Sequence, residues 1–469
     1  MQMKPTFRLI LVISLVLLVS SCKKFLNVRP DNTTNLNPRT VSDFEEILNN
    51  SNLATPNYML ADFASDDVYL SDYVMNSGNT TMAYYMNTYA WAPMVWQPSD
   101  DDAMYNGTYK LILPMNIILD NIEKADGGTG EQKAIIKAQA CINRAYYYLQ
   151  LANIYGPDYQ SASAGQDLAV PLVLHPDATE QPRRKTVKEV YDQILTDLQL
   201  AINTPSLPDF GVDVIHPGKA AAYAMLARTY LLMSDYEKAL AAADGALKIK
   251  SVLLNYESTA YKPFTLRDQE ENPEVLLARV YIDQSYVRQF NDAIYASVSL
   301  SDLLGTKDLR FVANFETWPT KNHFRYEQYS DNNIPSMQFN YSLTVAEMML
   351  IKAECLARKG AGESSVALLN QLRQSRFKKA DYTPLTVSPG EDALTLVLKE
   401  RRRELFFHGG LRLFDLKRLN RDPRFKQDLT RVNSKDSVIA TLPALSPRYL
   451  MPFTPKVIAN NPAIIQNQR

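Results

Sequence analysis

Between Tyr58 and Tyr109 the chain places eight tyrosines and two tryptophans among Asp, Asn, Ser and Thr. Aromatic faces stack on the apolar faces of sugar rings, and neighbouring carboxylates and amides take hydroxyl groups, so this composition points to a glycan platform. A second aromatic cluster runs from Tyr281 to Tyr341 and includes Trp318, Phe324, Tyr326 and Tyr329. From the two clusters the candidate ligand-binding residues are Asp66, Tyr69, Tyr73, Trp91, Trp96, Trp318 and Tyr326. Trp96, two residues before Pro98, and Trp318, next to Pro319, lie outside helical stripes and lead the set.

Bond-breaking chemistry finds little support. HExxH, GxSxG, GxGxxG and GxxxxGK[ST] are all absent, and His175, His216, His323 and His408 are scattered without metal-ligand spacing. The sequence therefore predicts no catalytic residues, no metal and no cofactor. Asp100-Asp101-Asp102 groups carboxylates as a calcium site would, but without EF-hand spacing or its terminal Glu it reads as an acidic turn capping a helix.

One residue does have covalent chemistry to do. Lys4 and Arg8 precede the apolar stretch 9–19, interrupted only by Ser14, and Ser20-Ser21-Cys22 follows. The order is that of a signal peptide, and the stretch is shorter than the roughly 20 residues a spanning helix needs. Small residues before Cys22 match a lipobox, which makes Cys22 the lipid attachment point and the first residue of the mature protein. Residues 22–40, with Pro30 and Pro38 among Asn and Thr, read as a tether. Without residues 1–21 the chain carries 48 basic and 51 acidic side chains, a formal charge of −3 that gives no reason to expect nucleic acid. Cys141 and Cys355 sit in alanine-rich apolar patterns and read as buried free thiols.

These loops need a scaffold. In residues 219–250, Tyr223, Leu226, Ala227 and Tyr230 recur at helical spacing, and after Ser234-Asp235 so do Tyr236, Ala239, Leu240, Ala243 and Leu247. Large aromatics on one helix against small alanines on both suit a tetratricopeptide-like hairpin. Further amphipathic helices are predicted over 131–155, 187–202, 345–360 and 363–376. Near the end, Ser388, Pro389 and Glu391 form a helix start, Gly409 a stop, and Glu404 is the expected partner of Arg401.

Taken together, CKKFLNVRP, YKLILPMNIILDNIE, INRAYYYLQLANIYG, VPLVLHPDATEQPRRKTVKEVYDQILTDLQLAI and ERRRELFFHGGLRLFDLKRL resemble the SusD/RagB family of Bacteroidetes nutrient-binding lipoproteins. The resemblance spans the mature chain. It departs at His408, where the family usually has an acidic residue, at Leu413, usually aromatic, and at Tyr105, usually Trp. Lys23 and Lys24 stand where an acidic run accompanies surface export in some of these bacteria.

The resemblance implies an all-α fold, a tetratricopeptide-like helical repeat scaffold with an irregular loop-rich ligand-binding lobe. Residues 1–21 are then a lipoprotein signal peptide, 22–40 the lipidated tether and 41–469 the SusD-like domain. Within that domain, 131–255 and 343–377 are tetratricopeptide-like, 55–110 and 256–342 form the loop lobe, and 388–420 hold the C-terminal signature helix. It further implies a binding protein rather than an enzyme, lipid-anchored to the outer membrane and facing outward. Its partners would be a SusC-type TonB-dependent transporter, over which it acts as a lid, and an oligosaccharide. Two other readings of the sequence are a peptide-binding lid of the same kind of transporter and a tetratricopeptide assembly scaffold without a small ligand.

Overall fold

The computed structural model describes residues 38–469 except 178, 259–265, 317–323, 327, 332–333 and 388–391. The expected signal peptide, Cys22 and most of the expected tether therefore lie outside the described residues, as does Trp318. Eleven helices organise the chain: α1 (Val41–Leu48), α2 (Ala83–Tyr89), α3 (Ala103–Asn121), α4 (Gly130–Tyr155), α5 (Val187–Ile202), α6 (Lys219–Leu232), α7 (Tyr236–Ile249), α8 (Val345–Arg358), α9 (Gly362–Gln374), α10 (Ala393–Glu404) and α11 (Leu411–Leu419). From α3 to α9 each helix packs on the next in sequence, α1 lies on α4, and α10 covers α8 and α9. This nearest-neighbour stacking is what a helical repeat requires, because no single hairpin can bury its own face.

The hairpin α6–α7 shows how composition sets the packing. Ser234 takes a positive φ of 60° at the turn and the Asp235 side chain caps α7. A Cβ on Gly245 of α7 would lie 2.7 Å from the Tyr223 ring of α6, so the tyrosine fills a space that only glycine leaves open. Ion pairs then fix neighbours. Arg144 of α4 forks onto Asp197 of α5 at 2.7 and 2.8 Å while bonding Asn116 of α3, and Arg228 of α6 forks onto Glu347 of α8 at 2.6 and 2.8 Å. Cys141 and Cys355 are buried free thiols, each pushed up to about 12 chiefly by burial.

Short strands complete the irregular half: β1 (Val68–Tyr69), β2 (Val280–Asp283), β3 (Tyr295–Ala296), β4 (Phe315–Glu316), β5 (Arg325–Tyr326), β6 (Gln328–Asp331), β7 (Ile334–Asn340), β8 (Leu429–Val432) and β9 (Val438–Leu442). One antiparallel sheet runs β1-β3-β5-β4 and another β2-β7-β6, while β8 and β9 form a hairpin. The segment between α4 and α5 is likewise not plain loop, since Leu168–Pro171 pairs with Arg184–Thr186.

At the C-terminal signature the structure corrects two expectations. Helix α10 begins at Ala393 under an Asp392 cap, so Ser388, Pro389 and Glu391 precede it and lie outside the described residues. It ends at Glu404. Gly409 and Gly410, at φ 63° and 84°, instead form the left-handed turn into α11, and both N–H groups donate to Asp62. Arg401 pairs with Asp415 of α11 at 2.8 Å rather than with Glu404. Glu404 accepts from Arg310 and Arg376, each at 2.7 Å, because two outside guanidiniums satisfy a buried carboxylate better than one neighbour on its own helix.

The same network extends to Asp308, Glu274, Glu400 and Arg373, tying α9 and α10 to the irregular half. Burial pushes the Glu404 carboxyl up, but Arg376 and Arg310 outweigh it and hold it at about 2. A carboxylate lowered in the fold adds stability above its unfolded pKa and loses it as pH falls toward its folded one. Glu404→Gln is therefore expected to be less stable than wild type by about 3–5 kcal/mol at pH 7. Urea unfolding at a series of pH values should show that gap closing between about pH 4.5 and pH 2.

Candidate ligand-binding face

The aromatic residues of the loop segments divide into buried and surface-facing sets. Trp91 is 1% exposed, its indole N–H donates to Ala64 O at 2.8 Å, and its ring lies 4.4 Å from the Arg431 guanidinium. Trp96 is 8% exposed and donates to Pro452 O at 2.7 Å. Tyr326 is buried among Phe315, Phe339 and Phe407 and donates to Gln338 O at 2.7 Å. These three rings present no open face, which corrects their assignment as stacking platforms. Their N–H and O–H groups serve buried carbonyls, as amphipathic aromatics do when enclosed.

Asp66 is likewise engaged, accepting both Nε and Nη2 of Arg412 at 2.7 and 2.8 Å. Burial opposes its charge, but Arg412 and Arg402 prevail and hold its carboxyl well below the usual range. It ties the loops to α11 instead of standing ready for a sugar hydroxyl. Tyr69 is mostly buried, with its ring edge-on to Tyr295 at 6.2 Å. Among the described candidates, only Tyr73 is broadly exposed, at 66%.

A pair of half-exposed rings, Tyr84 and Tyr281, does reach the surface, with the Asp283 carboxylate buried beside Tyr281. Strand alternation puts Tyr281 and Asp283 of β2 on one face, opposite Phe339 and Met337 of β7. Tyr281 stacks on Phe339 at 6.4 Å and is half-buried, with its hydroxyl 3.5 Å from Asp283. Tyr84, also half-buried, comes from α2 and packs on Tyr85 at 4.5 Å and on Trp96 at 5.5 Å. Burial raises the phenol of Tyr281, and Asp283 and Tyr84 add to it. Burial also raises the Asp283 carboxyl.

Next to it stands a second aromatic and carboxylate set. Asp292 accepts Ser71 Oγ at 2.6 Å and the Tyr295 hydroxyl at 2.8 Å. The Tyr69 phenol is pushed up to about 12 by burial, then by Asp72, Asp292 and Asp436. Tyr84 and Tyr281 belong to the sequence clusters, but nothing in the sequence separates them from their buried neighbours.

The acidic triplet caps as expected. Asp102 accepts from the N–H groups of Met104 and Tyr105 at the start of α3, and from the Tyr155 hydroxyl. Unlike a solvated turn residue it is buried, which raises its carboxyl to about 6. Among the described residues no group of three or more His, Cys, Asp or Glu side chains is arranged to hold a metal ion. An open groove of about 860 Å³ lies beside this turn, between Tyr105, Tyr109 and Leu113 of α3 and Val457 and Ile464 near the C-terminus.

A helical repeat scaffold carrying an irregular lobe with half-exposed tyrosines defines a class of binding protein. Comparison with known proteins agrees. A family model described as "Starch-binding associating with outer membrane" matches residues 24–231, and the SusD family model matches residues 280–469. The chain belongs to the SusD/RagB family.

SusD-like protein P2 of Formosa agariphila is 27% identical over 382 residues, 68% of this chain and 72% of that protein. A putative sugar binding protein from Bacteroides vulgatus superposes with a TM-score of 0.71 at 21% identity, covering 92% of this chain and 98% of that one. Surface glycan-binding protein A from Bacteroides uniformis superposes at 0.70 with 16% identity, covering 92% and 100%. At these identities the solved structures speak to the fold, which is all-α and tetratricopeptide-like.

The division between buried and exposed rings has a direct consequence for stability. Trp91→Ala should cost about 3–5 kcal/mol, as large core truncations do, whereas Tyr73→Ala should stay within about 0.5 kcal/mol of wild type. Chemical denaturation of the two variants measures the difference.

Proposed function

We propose that the protein is a glycan-binding lipoprotein of the outer membrane, anchored through Cys22 and facing outward as the lid of a SusC-type TonB-dependent transporter. The observation that carries this reading is the half-exposed rings of Tyr84 and Tyr281, with Tyr73 exposed on the same loop segment as Tyr84. Half-exposed rings offer edges and partial faces to a pyranose. Membership of the SusD family supports binding over bond cleavage, and so do the names of the relatives, which are sugar- and glycan-binding proteins. The loop segments 55–110 and 256–342 then hold the ligand, while the helical side is free to meet the transporter. Capture needs no chemistry beyond binding and release.

The test is affinity electrophoresis of residues 23–469 in gels holding soluble starch, xylan, mannan, laminarin or pectin. The wild type should be retarded by at least one polysaccharide, and Tyr84→Ala/Tyr281→Ala should migrate as in a sugar-free gel while melting normally. Retardation by none of them, with binding to a casein peptide digest instead, would favour the peptide-binding alternative. In cells, Cys22→Ala should move the protein from the membrane fraction to the soluble fraction, read by immunoblot.

A further inference from the structure

Arg431 stands on β8 and is 4% exposed. Among the described residues no carboxylate forms an ion pair with it. Four backbone carbonyls take its N–H groups instead: Tyr89 O at 3.0 Å, Val68 O at 2.8 Å, Phe63 O at 2.9 Å and Ser65 O at 2.5 Å. Its guanidinium also lies over the rings of Tyr89, at 4.0 Å, and Trp91, at 4.4 Å. A buried guanidinium is costly unless its donors are used, and here four of five are used on segments far apart in sequence.

Those segments bear the candidate ligand face. Val68 precedes Tyr69 and the turn that presents Tyr73. Tyr89 closes α2, which presents Tyr84, and Trp91 opens the loop leading to Trp96. The C-terminal region adds two weaker ties to the same strip: Ser434 N–H to Asp72, and Arg448 to Trp91 O at 3.2 Å. Lysine could not span the four carbonyls, since an ammonium is a point donor and the guanidinium a planar fork.

We infer that Arg431 is the positioning residue of the ligand face, gathering the carbonyls of residues 63–68 and 89 as a coordinated cation gathers a binding loop. It touches no ligand and acts through the placement of Tyr73 and Tyr84. The inference rests on the reading of that face as the glycan site.

The test uses residues 23–469 carrying Arg431→Lys, Arg431→Met or Arg431→Ala, with the same polysaccharide gels and hydrogen exchange read by mass spectrometry. Expected are cooperative melting in all three and faster exchange confined to residues 63–73 and 83–97, with α6 and α7 unchanged. Affinity for any polysaccharide that retards the wild type should fall tenfold or more in Arg431→Met. Millimolar ethylguanidinium should restore binding to Arg431→Ala, and ethylammonium should not, a readout that general destabilisation would not produce. Wild-type affinity in Arg431→Met, or exchange that quickens evenly through every helix, would overturn the inference. Were the wild type to bind no polysaccharide, the glycan reading would fall, and the exchange pattern would still decide whether Arg431 sets these segments.

Discussion

A chain that packs long irregular segments against helices must find donors for the carbonyls those segments bury, and this requirement shapes the whole molecule. An orphaned buried carbonyl costs about 1–3 kcal/mol, and loops have no ladder to supply the missing partner. Helices and strands provide it through side chains. Tyr146, Tyr147 and Tyr148 of α4 donate to Tyr341 O, Leu53 O and Val173 O, three separate segments reached from consecutive residues of one helix. Lys417 of α11 holds Asn153 O and Gly156 O at the end of α4, each at 2.6 Å. Arg184 collects Leu168 O, Ala169 O and Ile465 O. The abundance of tyrosine follows from this use: a phenol brings apolar area and a single donor in one side chain.

A second layer is ionic. Glu400 and Glu404 of α10 receive Arg310, Arg373 and Arg376, while Glu354 of α8 receives Arg418 of α11 and Arg358. Buried pairs of this kind contribute modest net stability, because desolvation offsets most of the attraction. Their partners are nevertheless few and fixed in direction, so they hold the irregular half in one register against the helices. Binding loops attached in this way can keep their geometry without belonging to a large sheet.

The scaffold was legible in the sequence because helix periodicity is local. The stripes at 219–250 and 187–202 need no knowledge of distant partners. The family motifs were equally plain. The site was less so. Composition marks Trp91, Trp96 and Tyr326 as aromatic residues in polar loops, but whether an indole or phenol meets solvent or a carbonyl depends on segments remote in sequence, such as Pro452 for Trp96. Asp66 failed for the same reason: its partner Arg412 lies in the signature region, and no spacing rule links them. Tyr84 and Tyr281 were hidden among their neighbours because their exposure, not their type, distinguishes them.

A helical repeat thus fixes, through carbonyl-seeking side chains, a small face of half-exposed tyrosines on its irregular side. The central claim concerns where a glycan sits. The most direct measurement is the hydrogen-exchange footprint of residues 23–469 with and without a saturating polysaccharide. The account predicts protection confined to residues 68–97 and 280–295, with α6 to α9 unaffected. Protection centred on α3 and residues 455–464, where the large groove lies, would contradict it and move the site there.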